Sequence, residues 1–175
     1  MTRFLRRVVV LCFLAFAAKE ELLFAQAPIA GVPGYNPILY GLPVNCLDSG
    51  GAPVAFSFGV INDIAKSSMG PSGPIMVFSP AANTAPAPLL LFIYAHECGH
   101  HALGHIRLFV QGLTPPPTYE MDADCFASKT VRNQGLLNLQ QIQFVASTFQ
   151  NNPPMGPYPA GPVRAQNIVN CFLQP

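Results

Sequence analysis

The chain has 175 residues, half of them hydrophobic and only 10% charged, with a formal net charge of +1. That length suits one domain with its own core. Beyond Ala27, five basic residues (Lys66, Arg107, Lys129, Arg132, Arg164) stand against six acidic ones, which excludes a basic patch for nucleic acid or a polybasic stretch for lipid.

Residues 1–27 read as an export segment. Arg3, Arg6 and Arg7 precede an apolar run, Val8 to Ala18, too short to span a bilayer comfortably. Small-residue cleavage sites fall at Ala15-Phe16-Ala17 and at Ala25-Gln26-Ala27, the second followed by Pro28. If uncleaved, the segment is an N-terminal anchor and the chain's one expected contact with a membrane. Either way the domain is expected in an exported compartment, periplasmic or secreted, of a bacterial envelope. Cys12 lies in this segment. Cys46, Cys98, Cys125 and Cys171 remain, and four cysteines in an exported domain suggest two disulfides.

Residues 28–53 are rich in Pro and Gly and read as an irregular arm laid on the domain formed by residues 54–175. Val54 to Ile64 is apolar and fits either a strand or a short helix. Met69 to Gly73 reads as a turn. Pro74 to Phe78 reads as a strand, and the proline at its start suggests a sheet edge.

All four histidines fall within ten residues, in His96-Glu97-Cys98-Gly99-His100-His101-Ala102-Leu103-Gly104-His105. The spacing predicts a helix from about Pro88 to Leu108, with Leu89, Ile93, His96, His100 and Leu103 on one stripe. Residues i and i+4 share a helix face, so His96 and His100 can grip one metal ion. Glu97, turned about 100° from His96, can reach a water at the same ion. In a regular helix His101 and His105 lie about 140° and 180° from His96. Polar contacts at the surface or beside the ligands are their expected fate, with His101 also a candidate to reach substrate. The pattern HExxHxxGxxH would need Gly at 103 and His at 106, where Leu103 and Ile106 stand. Gly99 would let another backbone come close.

After Pro115-Pro116-Pro117 a second helix is predicted from Thr118 to about Asn133, ended by Gly135. It carries Glu120 and Asp124, four apart on one face. A catalytic zinc site takes three protein ligands and keeps one position open, and His2Glu is a standard set, so Glu120 is the candidate third ligand. Asp124 can accept the other ring N–H of a ligating histidine. Asp122 is expected to be a solvated charge at the helix start. Leu136 to Phe149 and Val163 to Phe172 read as two further helices around a proline-rich loop.

HECGHH followed by EMDAD resembles the gluzincin zinc metallopeptidases, and within them the small exported bacterial members. The resemblance is strong over residues 90–128, weaker from about residue 60, and fades in the arm. It implies a minimal α+β, mostly helical zincin domain in which an edge strand before the metal helix receives substrate; Pro74 to Phe78 would be that strand. It implies a Zn2+ cofactor on His96, His100 and Glu120, with Glu97 as general base in the hydrolysis of a peptide or protein substrate. Pro159 to Ala165 resembles the His-Pro…Arg segment of such proteins, with Tyr158 where a His is often found. Arg164 would help hold the oxyanion or brace the site, and Tyr158 is a further candidate for contact with the oxyanion.

Cys98, about 200° from His96, points away from the metal. Of three connectivities, Cys98–Cys125 with Cys46–Cys171 is expected over the other two, because it would staple the two ligand helices and tie the arm to the last helix. Two other functions fit the same residues. One is a zinc-stabilised envelope module that binds or chaperones without turnover. The other is a processing enzyme kept latent by residues 28–53 lying over the cleft.

Overall fold

Hydrophobic pattern and breaking residues divide the described residues into a strand-rich part up to Phe78 and a helical remainder. The computed structural model describes residues 29–30, 34, 37–156 and 158–175. The export segment expected over residues 1–27 lies outside the described residues. Three two-residue strands come first, β1 (Ile29–Ala30), β2 (Ile38–Leu39) and β3 (Leu42–Pro43), followed by β4 (Ala55–Phe58), β5 (Ala65–Gly70) and β6 (Gly73–Phe78). A 3-10 turn (Pro80–Asn83) leads into five helices: α1 (Ala87–Ala102), α2 (His105–Val110), α3 (Tyr119–Asn133), α4 (Leu139–Phe149) and α5 (Gly161–Leu173). The class is α+β and mostly helical, as the sequence implies.

Strands β4, β6 and β5 form one sheet in that order, with β4 parallel and β5 antiparallel to β6. Here the expectation of an edge at Pro74–Phe78 is corrected, because β6 is the central strand. Proline is tolerated there because Pro74 faces only Met69 of β5, while pairing with β4 begins one residue later, at Ile75. The exposed edge beside the helices is β5, which carries little sequence signal for a strand. Ala-Lys-Ser-Ser-Met-Gly is poor in β-branched and aromatic residues, and only Ala65 and Ser67 turn inward. A two-residue turn, Pro71-Ser72, joins Gly70 to Gly73 and sets the hairpin register.

Helix α1 is the central element. Leu90, Leu91, Phe92, Tyr94 and Ala95 are all buried, so the helix is enclosed on most sides instead of showing one apolar stripe. Helices α3 and α4 pack on it from one direction and β5 and β6 from another. Leu89 and Ile93 are only half-buried and Leu103 is exposed, so the expected stripe holds only at the histidines. The predicted single helix to Leu108 is interrupted. Helix α1 stops at Ala102, Gly104 takes a left-handed conformation (φ 79°), and α2 restarts at His105. Helix α4 begins three residues later than predicted, where Asn138 and Gln141 form a reciprocal capping box.

The disulfides are Cys46–Cys98 and Cys125–Cys171, with Cα separations of 5.6 and 5.1 Å. This corrects the expected pairing. Cys98 does point away from the histidine face, but toward the arm rather than toward α3. Cys125 faces α5, which packs along the far side of α3. Two disulfides accord with an oxidising, exported compartment.

Candidate metal centre

Helices α1 and α3 cross where α1 carries Gly99. A Cβ there would lie 3.3 Å from the Ala123 Cα and 3.1 Å from the Phe126 ring. The missing side chain therefore lets the two backbones approach, as the sequence suggested. That approach sets Glu120, in the first turn of α3, opposite His96 and His100 in the last two turns of α1.

The two imidazoles face each other through Nε2, 3.1 Å apart. Glu120 Oε2 lies 3.4 Å from His96 Nε2, and Oε1 lies 3.7 Å from His100 Nε2. All three side chains are buried. Among the described residues, no other group of three His, Cys, Asp or Glu side chains converges in this way. The group fits a metal ion by two criteria. Donors about 2.0–2.1 Å from a tetrahedral ion stand about 3.3 Å from one another, close to these separations. In addition, Glu120 Oε2 is buried and accepts no hydrogen bond; it has only the longer ionic contacts to His96 Nε2 at 3.4 Å and Arg164 Nη2 at 4.0 Å, which leaves a lone pair for a metal ion.

Electrostatics assign a proton to the same spot. Burial opposes charge on His96, but the adjacent Asp124 and Glu120 carboxylates override it and hold the imidazolium up to about 10. His100 is pushed down to about 2, first by burial and then by the positive charge of His96. A protonated His96 Nε2 thus donates to a neutral His100 Nε2, and that proton sits where a metal would. His96 Nδ1 is 2.9 Å from Asp124 Oδ1, an ion-pair contact set off the line of a good hydrogen bond. Asp124 in turn takes two bonds from Arg164, at 2.8 Å to Nε and 2.7 Å to Nη2. Burial works against its charge, yet that guanidinium keeps its pKa below 3.8.

Glu97 stands beside this group at a cleft of about 310 Å³ that is also lined by Ser67, His100, Tyr119, Glu120 and Tyr158. Its Oε2 accepts the backbone N–H of Ser67 on the β5 edge at 2.7 Å, and the Ser67 hydroxyl donates to the Glu97 carbonyl. Burial is the main force on its carboxyl and raises its pKa above 4.5. Tyr158 keeps its phenolic proton, its pKa pushed up to about 12 by burial and then by nearby Glu120.

The expected residues divide into three groups. Glu97, His100, Glu120 and Tyr158 line the cleft, and His96 reaches them through its contacts with His100 and Glu120. Asp124 and Arg164 lie behind it. With both prongs on Asp124 and its plane against Phe149 and Tyr158, Arg164 braces that carboxylate and does not line the cleft. Of the positions expected for His101, it takes neither the surface one nor the substrate-facing one. It is buried, and its Nε2 lies 3.1 Å from the Ile75 carbonyl, joining α1 to β6. His105 is buried too, brought back toward His100 by the break at Gly104. Asp122 is exposed and accepts from the Thr118 hydroxyl at the helix start, as expected. No described residue of the arm lines the cleft. Ser67 escaped the sequence pattern, because a serine in a weak strand gives no sign of facing a glutamate thirty residues on. No protein-family model, curated protein or solved structure matches the chain.

Proposed function

We propose that this protein is a zinc-dependent metallopeptidase of the exported compartment, periplasmic or secreted, acting on peptide or protein substrates. The observation that carries this reading is the convergence of His96, His100 and Glu120, whose Oε2 accepts no hydrogen bond, with Glu97 adjacent and facing the cleft. His2Glu is a donor set suited to zinc with a position left open. Zinc held there would supply a Lewis acid and lower the pKa of water toward neutrality.

This chain's own residues account for the rest. Glu97, its pKa raised by burial, is poised to take a proton at its carboxylate and to return it to the leaving amine. Ser67 N–H holds that carboxylate against the β5 edge. Asp124, clamped by Arg164, keeps the His96 ring oriented. The unpaired edge of β5 on either side of Ser67 offers backbone groups to an extended peptide. The resemblance to the gluzincins supports the same assignment through the motif residues themselves.

The decisive experiment compares the wild-type protein with Glu97→Gln on a peptide library, with a chelator control. Zinc content is expected to be equal in both, and turnover to fall by about 10²–10⁴-fold in the variant. Equal cleavage by both proteins would refute Glu97 as the general base, and a wild-type protein with no chelator-sensitive cleavage would refute the peptidase reading.

A further inference from the structure

Metal-binding imidazoles are held by whatever their second nitrogen touches, because that contact fixes both tautomer and ring plane. For His96 the partner is Asp124. For His100 the structure presents a different one. His100 Nδ1 lies 3.1 Å from the Nδ1 of His105, and the two rings meet edge to face with centroids 5.3 Å apart.

A continuous helix would not allow this contact, since five residues turn the side chain about 140° away from His100. Gly104 changes the geometry. Its left-handed conformation (φ 79°) ends α1 and restarts the chain as α2, with His105 at the first position. His105 is then buried against His100 and against Tyr119, whose ring also edges that of His100. With His100 Nε2 turned to His96 and Glu120, the proton on Nδ1 has His105 Nδ1 as its acceptor.

We infer that His105 is a positioning residue for His100: its Nδ1 accepts the His100 Nδ1–H and so presents Nε2 to the metal. This rests on reading His96, His100 and Glu120 as the metal ligands. One ligand imidazole would then be oriented by a carboxylate and the other by a neutral ring.

The test is zinc affinity, measured by competition with a chromophoric chelator, together with the visible spectrum of the cobalt(II)-loaded protein. His105→Phe keeps ring volume but removes the acceptor. His105→Asn places an amide oxygen near the Nδ1 position. His105→Leu repeats the first change with a smaller side chain, should the phenyl ring not be accommodated. The Phe or Leu variant is expected to bind zinc about 10–100-fold more weakly and to shift the cobalt bands. The Asn variant is expected to recover most of the affinity and the wild-type spectrum, although it loses the ring packing. Wild-type affinity in the Phe and Leu variants, or an Asn variant as weak as they are, would overturn the role of His105 alone. A wild-type protein that binds no zinc would overturn the metal centre and this inference with it.

Discussion

Arg164 closes a two-pronged bond on Asp124, forty residues earlier in the chain, and both side chains are buried. Removing one partner of such a pair strands the other charge, which costs far more than the pair contributes. Arg164→Met is therefore expected to lower the stability of the metal-free protein by about 3–5 kcal/mol in urea unfolding, while adding Asp124→Asn to it restores part of the loss. A change under about 1 kcal/mol for Arg164→Met, the range of an exposed pair, would contradict the buried clamp.

The two facing histidines predict an unusual pH profile for metal-free stability. His96 is raised from 6.5 to about 10, so its contribution is complete below pH 6.5 and is lost as pH climbs toward 10. His100 is lowered from 6.5 to about 2, so its contribution is complete above pH 6.5 and is lost as pH falls toward 2. Asp124, held below 3.8, adds a further loss on acidification below about pH 4. Melting temperature without metal should peak near pH 6.5 and decline on both sides. Saturating zinc should flatten the alkaline arm, because a bound cation replaces the His96 proton. A metal-free profile still rising from pH 7 to 9 would contradict this account.

Asp124→Asn keeps the shape of the side chain but removes its charge beside His96. Zinc affinity is expected to fall by about 10–100-fold, a smaller effect than losing the ligand Glu120. Isothermal titration of both variants gives the comparison. Equal losses would mean that Asp124 binds the metal itself.

Gly99→Val tests whether close helix contact builds the ligand triangle. The added carbons meet the Ala123 backbone and the Phe126 ring, so α1 and α3 must separate or strain. Stability should drop by about 1–3 kcal/mol, with zinc affinity falling in parallel. Unaltered zinc binding in a destabilised Gly99→Val would show that the triangle tolerates wider helices.

A non-reducing peptide map should recover Cys46 with Cys98 and Cys125 with Cys171. Fragments joining Cys98 to Cys125 would restore the pairing first expected.

Much of the centre was legible because its residues lie close in sequence. His96, Glu97 and His100 follow from helix periodicity, and Glu120 with Asp124 from the same four-residue spacing one helix later. What was hidden depended on tertiary placement. Nothing local marks Arg164 as the partner of Asp124, since α5 meets α3 only in the folded chain, through packing, the Cys125–Cys171 bond and hydrogen bonds such as that of Asn167 to the Met121 carbonyl. The expectation for His105, polar contacts at the surface or beside the ligands, stayed open between the two because regular rotation was carried through Gly104, although a glycine after the periodic run was itself the signal of a helix end. Strand β5 was missed because small polar residues carry little strand preference, and its partner β6 was then misread as the edge.

The two cross-links fasten α1 to the arm and α3 to α5, and neither runs between the pair of helices that share the candidate cation. Oxidation therefore secures each half of the centre to the periphery while leaving the gap between the halves covalently unlocked. Closing that gap falls to the packing of α1 against α3 around Gly99, and a cation bound there would tie the two halves together at their side-chain donors.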